Sequence, residues 1–174
     1  NSLLFTLPGS PVVYYGDEIG MGDNLDLPDR NGVRTPMQWD DSPNAGFSKV
    51  KPYSELVKGK LGHLKVNVAS QINDPGSLFN SIRRMIAVRR KQEAIGSSSM
   101  EWIETGNPHV AVYIRQHGDD TMLILNNLSK SPQTIELPLQ YQKKYLDLFA
   151  GHAHVIDAEL TLDPYSYHWL QMQK

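Results

Sequence analysis

Cysteine is missing from all 174 residues. Disulfides, thiol nucleophiles and thiolate metal sites are therefore excluded. No apolar run reaches the roughly 20 residues that a membrane-spanning helix needs, so no membrane partner is expected. Charge of one sign is also lacking. Lys plus Arg number 17 against 19 for Asp plus Glu, a formal net charge of -2, and no basic face stands ready for a nucleic-acid backbone. No glycine-rich phosphate loop occurs, and no serine sits in a nucleophile elbow. A signal peptide is absent, but so is an initiator methionine. The opening "NSLLFTLPG" reads like the middle of a longer protein, and a cytoplasmic location is the expectation.

What remains is an ordinary globular composition, 40% hydrophobic and 21% charged, long enough for one good core or two small ones. The pattern changes near residue 96. Before it lie loops and one strong helix, expected within "NDPGSLFNSIRRMIAVRRKQEAIG", with Asp74 as cap, Pro75 in the first turn and Gly96 as terminator. Leu78, Ile82, Met85, Ile86 and Ile95 fall roughly on one stripe, with Arg83, Arg84, Arg90 and Lys91 mostly elsewhere. "GSSS" (96–99) reads as a joint. After it come alternating runs, "HVAVYIRQ" (109–116) and "TMLILNN" (121–127) around a "GDD" turn, then "QTIEL", "KYLDLF" and "YSYHWLQM". This spacing predicts an antiparallel β-sandwich with Val110, Val112, Ile114, Leu123 and Leu125 in its core. The expected domains are thus 1–96 and 97–174. In the first, Val12–Tyr15 reads as a short buried parallel strand. Such a strand is unstable alone, and this chain offers it no obvious partner.

Few residues could carry chemistry. Asp17 and Glu18 are adjacent, so on a strand end they diverge, and a hydrogen-bonded terminus is the favoured reading. Of the six histidines, His152 and His154 form at best a strand-face pair, and His63, His109, His117 and His168 show no helical metal spacing. No metal and no cofactor are expected. The informative stretch is "DRNGVRTPMQW" (29–39), too polar for a core element and too specific for a linker. Arg30 and Arg34 offer planar forks of donors suited to carboxylates or vicinal hydroxyls, and Asp29 offers an acceptor beside them. Spacing alone leaves two readings equal: a sugar-contacting loop, or an Arg–Asp tie that braces it.

Three stretches carry a family resemblance. "GSPVVYYGDEIGMGDN" resembles the eighth barrel strand and following loop of the alpha-amylase superfamily. "DRNGVRTPMQW" with "NAGFS" resembles the loop after that strand, and in its fuller form it is closest to the trehalose synthase branch. "VNVASQINDPGSLFNSIRRMIAVRR" resembles the last barrel helix and its lead-in. The similarity continues through "NPHVAVYIR" and "LILNNLS". The resemblance implies an α+β chain: the end of a (β/α)₈ barrel, then an all-β antiparallel sandwich. It implies that Arg30 contacts the non-reducing glucose, that Arg34 braces the loop or an adjoining subsite, and that Asp29 and Gln38 orient the arginines. Trp39 and Met37 are expected to pack.

Retaining glycosyl transfer needs two carboxyl groups about 5 Å apart. The family's catalytic carboxylates lie on earlier barrel strands, and none of their motifs occurs here. The expected catalytic set within this chain is therefore empty. The implied parent reaction converts maltose to trehalose by glucosyl transfer, with alpha-glucosidase or oligo-1,6-glucosidase hydrolysis as one alternative. A non-catalytic β-sandwich module is another, for which Tyr165, Tyr167 and Trp169 on one strand face would matter if exposed. A homo-oligomer, or packing against the rest of a barrel, is expected to cover Val12–Tyr15.

Overall fold

The computed structural model describes residues 1–97 and 99–173, with the side chain of His154 also outside the described residues. The "GSSS" joint is therefore described only in part, and so is the His152/His154 pair. Among the described residues are four α-helices, α1 (Ser2–Thr6), α2 (Val68–Gln71), α3 (Leu78–Arg89) and α4 (Glu93–Gly96). The eight strands are β1 (Met100–Trp102), β2 (Val110–His117), β3 (Asp120–Asn127), β4 (Gln133–Glu136), β5 (Lys144–Asp147), β6 (Ala153–Val155), β7 (Glu159–Leu162) and β8 (Tyr167–Met172). Two compact units result. One is Val12–Arg84; the other joins Asn1–Pro11 to Met85–Lys174. The change in secondary-structure pattern near residue 96 thus does not coincide with the division into compact bodies.

In the β unit every pairing is antiparallel, in a six-stranded sheet ordered β1-β2-β3-β8-β5-β6 and a two-stranded sheet β4-β7. The β2–β3 hairpin pairs Val112 with Leu125 and Ile114 with Leu123, which sets four apolar side chains on one face. All four are buried in one cluster with Ile135, Leu137, Tyr145, Leu162 and Leu170, so both sheets share a core, and Val110 packs on its edge. The expected hairpin and core are therefore present. The strands β1, β6 and β7, three or four residues long, were not expected. Trp169 is fully buried and donates its indole N–H to Ser2 Oγ at 2.9 Å, while Tyr165 sits outside β8 in a left-handed conformation (φ 53°). The three aromatics thus do not form one exposed stacking face.

The same unit holds a buried cation. Arg115 lies on β2 and is fully buried. Its guanidinium donates to the carbonyls of Ser99 (2.8 Å), Ser97 and Thr6. Arg89, at the end of α3, donates to the carbonyls of Phe5 (2.5 Å) and Gly9 (3.1 Å). Two guanidiniums thus satisfy carbonyls at the C-terminal end of α1, where the helix leaves acceptors unpaired and its dipole is negative. Thr6 completes the attachment through a 2.6 Å hydrogen bond with the buried Tyr113 hydroxyl. Burial, reinforced by the charge of Arg89, lowers the pKa of Arg115.

The expected single helix is in fact α3 and α4, broken at 90–92. Ser77, rather than Asp74, caps α3: its Oγ accepts from Asn80 N at 3.2 Å. Asp74 instead closes the preceding turn, accepting from Gly76 N at 2.9 Å. Ile82 and Met85 are buried as expected, whereas Ile86 is exposed. Val12–Tyr15 forms no ladder, and all four side chains are exposed. The reason is the one anticipated: a lone parallel strand has nothing in this chain to pair with.

Candidate functional site

The stretch 29–39 divides into an exposed head and a buried tail. Asp29, Arg30, Asn31, Val33 and Arg34 face solvent, whereas Thr35, Pro36, Met37 and Gln38 are buried in succession. The head begins with a 3₁₀ turn over Asp29–Val33. Asp29 itself adopts φ 53°, a conformation costly for a residue with a Cβ and found at sites where the surroundings enforce it. Gly32 is required for contact: a Cβ there would sit 2.7 Å from the carbonyl oxygen of Asn24, and the Gly32 carbonyl accepts from Asn24 N at 3.0 Å. That bond closes residues 24–32 into a compact loop. Asn24 fastens it further, with Nδ2 donating to Leu56 O at 3.1 Å.

The tail is held from several sides. The Tyr15 hydroxyl donates to Thr35 O at 2.9 Å. The Gln38 side-chain amide donates to Leu61 O at 3.1 Å and Val66 O at 2.5 Å, and its backbone carbonyl accepts from Val68 N at 3.0 Å. Trp39 N donates to Ala45 O at 2.9 Å, within a turn where Asn44 and Ala45 both take positive φ. Gly46 suits the turn because its φ is +65°, in the left-handed region, and a Cβ there would also push aside the Asp40 carboxylate, 2.5 Å away. Two buried polar atoms of the tail, Thr35 Oγ1 and Gln38 Oε1, have no hydrogen-bond partner among the described residues.

Among the described residues, neither Arg30 nor Arg34 forms a salt bridge, and no hydrogen bond joins either to Asp29 or Gln38. The structure therefore shows no Arg–Asp tie within the loop. Met37 packs in the interior, as its expected packing role requires, while Trp39 remains half exposed. Tyr15, which sequence reasoning did not include in the site, anchors the loop. Burial and the neighbouring Tyr14 raise its pKa, while Arg34 acts the other way. No short-range signal marks Tyr15, because its partner lies 20 residues on.

The remaining ionisable candidates are occupied. Asp17 Oδ2 accepts from Tyr14 N at 2.9 Å, and Glu18 Oε2 from Gly16 N at 2.8 Å; the hydrogen bonds expected of them are present, but at the start of a 3₁₀ turn (Asp17–Ile19) and not at the end of a strand. Asp120 accepts from Ala94 N at 3.0 Å and from Gln171 at 3.1 Å. His168 Nδ1 lies 3.0 Å from Asp147 Oδ2. Among the described residues no group of three or more His, Asp or Glu could hold a metal ion. Nor is any helix long and apolar enough to cross a membrane.

Comparison with known proteins places this geometry. Residues 1–98 match the alpha amylase catalytic domain and residues 100–169 the maltogenic amylase C-terminal domain. A trehalose synthase of Pimelobacter is 42% identical, over 98% of this chain and 32% of its own length. A trehalose synthase/amylase of Mycobacterium tuberculosis is 43% identical, over 98% of this chain and 31% of its own. The crystal structure of trehalulose synthase from Pseudomonas mesoacidophila superposes with a TM-score of 0.84 at 25% identity, covering 99% of this chain and 37% of that one. The chain spans about a third of the length of these relatives. Its fold is accordingly α+β, the end of an alpha-amylase catalytic domain followed by an antiparallel β domain. The chain belongs to the alpha-amylase family.

Proposed function

We propose that this chain is the C-terminal portion of a retaining alpha-glucoside enzyme that converts maltose to trehalose, with residues 1–96 closing its barrel and 97–174 forming its β domain. The exposed arginines, Arg30 and Arg34, carry the reading: they project from a loop whose backbone is tied down, yet neither has an ion pair among the described residues. Unclaimed guanidinium donors on a fixed backbone suit the vicinal hydroxyls of a sugar. Arg30 contacts the non-reducing glucose, and Arg34 serves an adjoining position. Asp29 shapes the turn that presents them. Gln38 contributes indirectly, by fixing the loop at 61–66 against the tail. The identity to trehalose synthases supports transfer over hydrolysis, since the similarity to an oligo-1,6-glucosidase of Bacillus cereus is lower, at 25%.

Within the intact enzyme, Arg30→Ala is expected to lower kcat/KM for maltose about 30-fold, equivalent to roughly 2 kcal/mol of charged hydrogen bonding. Arg30→Lys should rescue poorly, because a point charge cannot reproduce a fork. Unchanged turnover in both variants would remove the assignment. The products from maltose, trehalose or two glucoses, separate transferase from hydrolase. The 174-residue chain alone is expected to turn over no maltose. Light scattering tests whether a second copy covers Val12–Tyr15, and cell fractionation tests the cytoplasmic location that goes with this reading.

A further inference from the structure

The chain as a whole is slightly acidic, but its charge is unevenly spread. Residues 48–65 hold five lysines, Lys49, Lys51, Lys58, Lys60 and Lys65, against one acidic residue, Glu55. This segment, within the Val12–Arg84 unit, supplies most of the wall of a cleft of about 620 Å³. Its backbone is fastened from outside. The buried side-chain amides of Asn24, Gln38 and Asn67 donate to the carbonyls of Leu56 (3.1 Å), Leu61 (3.1 Å) and His63 (2.7 Å). Gly62 lets the segment close on itself, since a Cβ there would sit 2.7 Å from the Val57 carbonyl oxygen. The cleft is thus built by its own chain, and a ligand entering it need not order the backbone.

Three side chains of the lining, Lys51, Ser54 and His63, have no side-chain hydrogen bond or ion pair among the described residues. The charge of Lys51 is felt by Glu55, but the two form no ion pair. His63 is held through its backbone carbonyl, which leaves the imidazole free for a ligand. Asp40, whose charge interacts with that of His63, already accepts from Ser42 N at 2.9 Å. Lys58 is different. Its ammonium lies 2.8 Å from Glu55 and 3.9 Å from Asp26, so it is already paired and Glu55 is neutralised with it. Lys51 is therefore the uncompensated positive charge of the lining.

An ammonium, a hydroxyl and an imidazole are together the donor set that an anion's oxygens accept from. A recess whose rim carries charge of one sign concentrates the field on an entering ion. The rest of the wall is apolar, with Pro52, Leu56, Val57 and Leu64. A bare inorganic anion would leave that wall uncovered. A neutral or apolar ligand would leave the charge of Lys51 unanswered. A phosphate joined to a small carbon skeleton meets both demands, and a volume of this size suits a small molecule. We propose that this cleft binds a small organic phosphate monoester, with Lys51, Ser54 and His63 on the phosphate and Pro52 and Leu64 against the carbon skeleton. The site is separate from the loop at 29–39 and does not depend on the alpha-glucoside reading. A lipid headgroup offers the same phosphate chemistry, and the test separates the two sources.

The test uses the whole 174-residue chain with glucose 6-phosphate as the probe, followed by phosphorus NMR and by calorimetry. Saturable binding at one site, in the millimolar range or tighter, is expected. Inorganic phosphate should bind more weakly, and excess glucose should not displace the probe. Lys51→Gln should weaken binding about ten-fold, as loss of a charge-assisted hydrogen bond does. His63→Gln and Ser54→Ala should each weaken it by about three-fold. Thermal melting of each variant checks that the fold is intact. Lys60→Gln and Lys65→Gln remove the same charge from the same segment, but neither residue lines the cleft, so both should leave the affinity within two-fold. Absence of saturable binding by both methods overturns the proposal. So do equal losses at Lys51, Lys60 and Lys65, which would mark a diffuse basic surface, and displacement by glucose, which would mark a sugar site. Sedimentation with vesicles of phosphatidylcholine and phosphatidylglycerol is the remaining arm: Lys51-dependent binding to them, without binding of glucose 6-phosphate, would assign the cleft to a membrane headgroup and overturn the soluble ligand. Each of these results leaves the Arg30 reading standing, because maltose turnover in the intact enzyme judges that separately.

Discussion

The two compact units are held together by different means. The β unit relies on strand ladders and one continuous apolar cluster, in which Leu123, Leu125, Leu162 and Leu170 are all buried. The Val12–Arg84 unit has little regular structure apart from α2 and most of α3. There, side-chain amides stand in for ladders. Asn24, Gln38, Asn44, Asn67, Gln71 and Asn80 each donate to at least one backbone carbonyl. Asn80 Nδ2 alone lies within hydrogen-bond distance of the carbonyls of Gln71, Ile72 and Asp74. Irregular backbone must have its polar groups satisfied one by one. This loop-rich unit is therefore ordered by particular side chains, and a single amide there holds what a sheet spreads over many residues.

Single substitutions distinguish the two modes of stabilisation. The largest effect is expected at Leu125→Ala, where the lost methyl groups and the resulting cavity in the shared core should cost about 3 kcal/mol in urea denaturation. A loss below about 1 kcal/mol would mean that the two sheets do not share a core. Next comes Gln38→Ala, which strands the carbonyls of Leu61 and Val66 and should cost about 2 to 3 kcal/mol. Gln38→Glu should be no better at neutral pH, because a carboxylate would face two acceptors. Stability equal to wild type in both variants would show that the amide is not the fastening it is taken for.

The third prediction concerns Asp147, buried on β5. Burial pushes its pKa up, but the bonds from His168 and from the backbone N–H groups of Ala150 and Phe149 outweigh burial and bring it to about 2. The folded value lies below the ordinary 3.8, so the stabilisation is fully present above about pH 4 and is lost as pH falls through about 2. Asp147→Asn should remove about 2 kcal/mol of that acid-side dependence. An unchanged slope of stability against pH between 4 and 2 would contradict it. The smallest expected effect is at Ser77→Ala. Loss of the α3 cap should cost about 1 kcal/mol, seen as a small drop in midpoint, whereas Asp74→Ala should leave the cap intact.

Legibility followed the same divide. The 110–127 hairpin could be read because alternation and a turn signal agree over two full strands. The strands β1, β6 and β7 are too short to show a period. In α3 the periodic stripe was visible, but the cap was misplaced by three residues, since Asp74 and Ser77 are both good caps and only the backbone decides between them. The burial of Arg115 depends on carbonyls as far away as Thr6, which no local pattern reveals. In the loop at 29–39, the residue types pointed to function, and the exposed head fits that reading. In its buried tail the packing of Met37 was foreseen, but the burial of Thr35 and Gln38 was not, because the partners of Gln38 lie 23 and 28 residues further on.

The two guanidiniums that grip the end of α1 have a consequence for the order of assembly. Phe5, Thr6 and Gly9 are made early in this chain, yet Arg89 and Arg115 follow some 80 to 109 residues later, and Trp169 bonds to Ser2 across 167. During vectorial synthesis the first helix must wait, unclasped, until nearly the last strand of the segment has emerged. Native contacts of such long sequence separation slow folding. Refolding should accordingly show the hairpin protected from hydrogen exchange well before α1.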